Sequence, residues 1–139
     1  MLLQTVNREI LIARGVLAPA AGSGEQSPPG SGATITLYDS TVNSNGLQFG
    51  TPLPFSRLVL TILSSNDSAA QGVVVNGSDD NGLHWDLVQI GQSYLAANGL
   101  TTFDILVVTP QVQIKYTNSA NVLTSWRMSL TGVLGDRAH

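Results

Sequence analysis

Two imidazoles, His84 and His139, are the only histidines in the chain, and His84 stands two residues from Asp86 with serines nearby. Those are the residue types of a Ser-His-Asp hydrolytic site, but no Gly-x-Ser-x-Gly turn exists to expose a serine nucleophile. The expectation is therefore a strand histidine beside a core tryptophan, Trp85. Glycoside hydrolysis needs two carboxylates facing each other across a cleft. The nine acids, Glu9, Glu25, Asp39, Asp67, Asp79, Asp80, Asp86, Asp104 and Asp136, fall mostly in turns or on outward strand positions. The densest polar run, 76–82 (Asn-Gly-Ser-Asp-Asp-Asn-Gly), offers hard oxygens of the kind calcium takes but lacks the spacing and closing glutamate of an EF-hand loop. Asx and Gly gather in such loops for backbone reasons alone. Asp79, Asp80 and Asn81, with the rings of Trp85 and Tyr94 near them in the chain, form a candidate ligand loop for a sugar. Trp126 and Tyr116 stand in register with apolar neighbours and read as core. No cofactor is expected, no metal site is assigned, and the chain reads as non-enzymatic.

The composition bounds what can hold these residues. At 139 residues the chain fits one domain with a sizeable core. Apolar residues make up 42% and charged residues 11%, against roughly 25% charged in an average soluble protein. Such a chain folds, since disorder goes with few apolar residues and much charge. It folds onto a surface rich in Ser, Thr, Asn, Gln and Gly, which tolerates being covered, and a homo-oligomer or a docked subunit is expected. A net charge of −3 with one lysine and five arginines offers no basic stripe for nucleic acid. Without cysteine there is no disulfide framework or thiolate metal site. Arg8, Glu9 and Arg14 interrupt the apolar start, so it reads as neither a signal peptide nor a membrane span, and no membrane partner is expected.

Residues 18–32, rich in Pro, Gly and Ser, can form neither helix nor strand and read as a loop or linker. They separate an N-terminal segment, 1–17, from a sandwich domain, 33–139. In that segment Ile10, Leu11 and Ile12 are contiguous between charged residues, which suits an added strand or a docking arm. Its apolar residues, Leu2, Leu3, Val6, Ile10, Leu11, Ile12, Val16 and Leu17, are the candidate assembly interface, and the linker would give the arm reach. Beyond Ala33 the period is two. Val112, Ile114 and Tyr116 alternate with Gln111, Gln113, Lys115 and Thr117, and Trp126, Met128 and Leu130 with Ser125, Arg127, Ser129 and Thr131. Ile35 and Leu37, then Leu58, Leu60 and Ile62, then Phe103, Ile105 and Val107 repeat the spacing, and 72–75 and 83–90 add two shorter runs. Asn45-Gly46, Asn81-Gly82 and Asn98-Gly99 supply turns, and Pro52, Pro54 and Pro110 mark strand boundaries. The fold class is all-β, an antiparallel two-sheet β-sandwich or jelly roll of about 7–8 strands with an N-terminal extended arm.

Residues 75–85 (Val-Asn-Gly-Ser-Asp-Asp-Asn-Gly-Leu-His-Trp) resemble the strand, Ser-Asp-Asp-Gly turn and tryptophan of galactose-binding-like jelly rolls. Residues 110–118, with 126–132, resemble the later strands of the same folds and of small virion proteins of tailed bacteriophages; the likeness covers approximately Phe55 to Val133. Sugar-binding relatives often carry arginine where Gln111 and Gln113 stand, so no sugar site is transferred. The phage resemblance implies a capsid decoration or cement protein on the virion surface, made in the host cytoplasm. It would bury its arm and a low-charge face on the major capsid protein, other virion subunits or sister copies, by strand addition. The rivals are a carbohydrate- or receptor-binding module of a tail fibre and a small tail or baseplate component.

Overall fold

The computed structural model describes residues 8–42 and 53–134. Among them are eight strands: β1 (Arg8–Val16), β2 (Thr34–Asp39), β3 (Phe55–Ser64), β4 (Ser68–Ser78), β5 (Leu87–Ser93), β6 (Leu100–Leu106), β7 (Gln111–Asn118) and β8 (Trp126–Leu134). They form two antiparallel four-stranded sheets, sheet A in the order β1-β8-β3-β6 and sheet B in the order β2-β7-β4-β5. The ladders β1–β8, β2–β7, β3–β6 and β4–β5 are those of one long antiparallel ribbon folded on itself. The further ladders β3–β8 and β4–β7 lay neighbouring turns of that ribbon side by side, which is the winding of a jelly roll.

Alternation decides which side chains meet between the sheets. Leu58, Leu60 and Ile62 of β3, Ile105 of β6 and Trp126, Met128 and Leu130 of β8 point inward from sheet A. Leu37 and Tyr38 of β2, Val73 and Val75 of β4 and Val112, Ile114 and Tyr116 of β7 meet them from sheet B. Leu53, Leu95, Val107 and Leu123, from the connections, close the ends. In β7 the alternation is overlaid by a second layer of burial. Gln111 and Gln113, which the sequence places outward, are only 1% and 9% exposed. The cause is position: β7 is central in sheet B, and its first residues are covered by the chain leaving β2. The Ser40 hydroxyl donates to Gln111 Oε1 and accepts from the Val112 N–H at 2.9 Å, while Gln113 Nε2 donates to Asp39.

The N-terminal segment is an edge strand of the sandwich itself. Arg8–Val16 pairs along all of β8, with a bulge between Leu11 and Ala13 that turns both Ile12 and Ala13 into the core. Residues 18–32 form no strand or helix, yet they are no free tether. The Gln26 N–H donates to the Arg14 carbonyl at 2.8 Å and the Val16 N–H to the Gln26 carbonyl at 3.1 Å. Gln26 Nε2 donates to Leu37 O of β2 at 2.7 Å, so this segment stitches the edge of sheet A to the edge of sheet B. Its far end is fixed by the Gly32 N–H on Ser119 O at 2.7 Å. The reach that a linker would give an arm is taken up by these bonds.

Candidate functional site

The polar run at 76–82 folds into the β4–β5 turn. Asn81 and Gly82 both take positive φ, 60° and 87°, as the Asn-Gly dipeptide predicts. The turn closes on Ser78, whose buried hydroxyl donates to Asp80 Oδ1 at 2.7 Å and accepts from the Gly82 N–H at 2.9 Å. Asp80 also accepts from the His84 N–H at 2.9 Å and lies 2.5 Å from His84 Nδ1. The imidazole and hydroxyl bonds hold the Asp80 carboxyl well below the usual carboxylate range, and the same carboxylate raises His84 above the ordinary histidine.

This places His84 in an exposed turn rather than on a strand, and its acid is Asp80 rather than Asp86. The spacing of four residues around an Asn-Gly turn is the signal that could have revealed the pair. Chemically, Nδ1 faces a carboxylate and Nε2 faces solvent, while the Ser78 hydroxyl is bonded to the carboxylate and not to the imidazole. In this arrangement His84 does not deprotonate Ser78. No three His, Asp or Glu side chains gather to hold a metal ion among the described residues, and Asp80 is already engaged by its own turn.

Because the folded pKa of His84 is raised, its contribution is full below the ordinary histidine pKa and is lost as pH rises through the folded value. Because that of Asp80 is depressed, its contribution is present above the ordinary carboxylate pKa and lost as pH falls through the folded value. The turn is expected to be tightest in mildly acidic solution, between those limits. In an NMR titration, Asp80→Asn should return His84 towards an ordinary histidine pKa; an unshifted titration would show that the pair does not form in solution.

The candidate ligand loop does not come together as one site. Asp79, Asp80, Asn81 and Trp85 share the β4–β5 turn, with Trp85 against Gly82 and half-buried. Tyr94 follows the far end of β5, where its hydroxyl donates to Asp67, and Asp67 also accepts from the Ala97 N–H at 2.7 Å. The register of β4 with β5 puts roughly 20 Å of strand between the two rings. A shared stacking platform is therefore absent.

Of the candidate assembly residues, Leu2, Leu3 and Val6 lie outside the described residues. Ile12 is buried in the chain's own core, Ile10 is packed on it, Val16 is half-buried, and Leu11 and Leu17 are exposed. Apolar surface is instead spread over the outer face of sheet A. Register aligns Val16, Arg127, Leu63 and Leu100 in one row across the four strands, and Arg14, Ser129, Thr61 and Thr102 in the next. Leu11, Leu63, Leu100 and Leu106 are 45, 36, 69 and 62% exposed on this face, which also carries Glu9, Arg14, Arg127 and the Arg57–Asp104 ion pair at 3.1 Å. The low-charge face is the other one: Thr34, Thr36, Lys115, Thr117, Val74 and Asn76 look outward from sheet B. The apolar face and the low-charge face are therefore on opposite sheets. β-Register, which pairs strands distant in sequence, is what gathers the leucines.

No known family profile matches the chain, and no curated protein does. A solved structure is similar in fold: the crystal structure of PBSX exported protein XepA, with a TM-score of 0.61 and 10% sequence identity. The likeness covers 95% of this chain but 39% of that one, so this chain spans well under half the length of the protein it resembles.

Proposed function

We propose that this chain is a non-enzymatic structural protein of a tailed-phage particle, a capsid decoration protein that stabilises the head by covering neighbouring subunits. The observation that carries the reading is the outer face of sheet A, where three of the four strands carry exposed leucines: Leu11 of β1, Leu63 of β3, and Leu100 and Leu106 of β6. Burying a leucine contributes about 1.5–3 kcal/mol, and four such positions over a rigid sheet suit a permanent contact better than a transient one. The fold likeness to a protein of phage PBSX supports the phage setting. The attachment surface is thereby moved from the N-terminal arm to a sheet face, since Ile12 is already spent on the core. The separation of Trp85 from Tyr94 removes the support for a sugar-binding module.

Gradient-purified particles are expected to contain the protein, and Leu11→Ser/Leu106→Ser is expected to weaken its retention tenfold or more while leaving the free domain's melting nearly unchanged. Protein found only in the unassembled fraction would sink the proposal. So would Trp85-dependent binding on a glycan array together with absence from particles, which would point to the receptor-binding rival.

A further inference from the structure

The outer face of sheet A holds a hollow of about 290 Å³ that its own chain leaves unfilled. It is lined by Arg14, Val16, Thr61, Leu63, Leu100 and Arg127. Arg14 pairs with Ser129 and Arg127 with Val16, so the two residues are diagonal neighbours across the β1–β8 ladder, roughly 7–8 Å apart at the backbone, and both line the hollow. Like charges so placed repel. Neither makes an ion pair among the described residues, although Glu25 lines a shallower hollow on the other side of Arg14. Two exposed cations beside Val16, Leu63 and Leu100 have the chemistry to take a carboxylate flanked by apolar side chains.

The chain itself displays such a segment. On the β4–β5 turn Leu83 is 81% exposed, Leu87 is also exposed, and Asp79 and Asp86 stand in solvent. Asp80 is held by His84, which leaves Asp79 and Asp86 without an ion pair among the described residues. The fold prevents this turn from reaching the hollow of its own molecule. The hollow sits where β3 ends and β8 begins, while the turn sits where β4 ends; β4 starts beside the end of β3 and runs away from it in the opposite sheet.

We infer that the β4–β5 turn of one copy seats in the Arg14–Arg127 hollow of the next, with Asp79 and Asp86 on the guanidiniums and Leu83 against Leu63 and Leu100. The two surfaces are different and lie at opposite ends of the sandwich, so the contact is head-to-tail. It closes into a ring or propagates as a filament. It needs only copies of this chain and so stands or falls apart from the particle assignment.

Sedimentation of the purified full chain tests it. The wild type is expected to form assemblies as concentration rises, and to release them as added salt screens the charges. Arg14→Glu/Arg127→Glu keeps an intact turn, and Asp79→Lys/Asp86→Lys keeps an intact hollow. Each alone is expected to associate at least tenfold more weakly than the wild type. Mixed one to one, they present two matched contacts, the native one and its charge-reversed counterpart, and should co-assemble where neither does alone; the variant carrying all four reversals should regain assembly by itself. Leu83→Ser, which alters no charge, should weaken association in the same direction. A wild type that stays monomeric up to about 1 mM, or charge variants that assemble as the wild type does, would overturn the inference. So would mixing that restores no assembly.

Discussion

Deleting residues 1–16 is expected to unfold the domain or strip it of roughly 4 kcal/mol or more, a large part of the 5–15 kcal/mol that holds a domain of this size. An arm lying on a neighbour could be removed without such a cost. Here the deletion takes Ile12 and Ala13 out of the core, uncovers the inner edge of Trp126 and leaves the whole of β8 without its outer partner. It also frees Gln26, whose backbone and side chain join β1 to Leu37 across the gap between the sheets. Urea denaturation of the full chain and the truncated chain measures the difference. Equal midpoints would return the segment to the role of a detachable arm. Loss of particle attachment by such a truncation would therefore report unfolding, not the removal of a contact surface, which is why the attachment test above uses exposed leucines instead.

The strands were legible where one face is core and the other solvent. β8 alternates through Trp126, Met128 and Leu130 as its sequence does, and the Asn81-Gly82 turn falls where the dipeptide says. What was not legible depends on which strands become neighbours. In β1, a contiguous Ile10-Leu11-Ile12 fits either a strand or an arm, and the bulge that turns Ile12 and Ala13 both inward is set by the ladder to β8. In β7, Gln111 and Gln113 look like solvent positions until Ser40 and Asp39 are brought over them from β2. The same holds for the surface. Arg14 and Arg127 lie near opposite ends of the chain, and only the β1–β8 register makes them neighbours. The Asp80–His84 pair, by contrast, is local, and its spacing was there to be read.

Gly15→Ala is expected to destabilise the wild-type domain by about 1–3 kcal/mol yet to be neutral or slightly stabilising in a Trp126→Ala background. A methyl group on Gly15 would overlap the Trp126 ring at Cζ3 and lie 2.7 Å from Cη2 and 2.9 Å from Met128 Cγ. The ring has little room to withdraw. Trp126 is 1% exposed and tilted against Tyr116 at 48° with centroids 6.3 Å apart. Its indole N–H has no partner among the described residues, so truncating it strands no polar group, and the expected loss of about 3–5 kcal/mol is one of volume and contact. Once the ring is gone, the nearest neighbour left to the added methyl is Cγ of the flexible Met128 side chain, and the entropy that glycine costs in a strand, about 0.5–1 kcal/mol, is recovered. The two substitutions should therefore couple by about 1 kcal/mol or more in a double-mutant cycle, where independent sites agree to within roughly 0.5. Additive effects would mean that Gly15 does not lie over Trp126, and with it that β1 does not close the core. Since the hollow proposed for self-association has Arg14 on one wall and Arg127 on the other, the same cycle also reports whether β1 sits where that contact requires it.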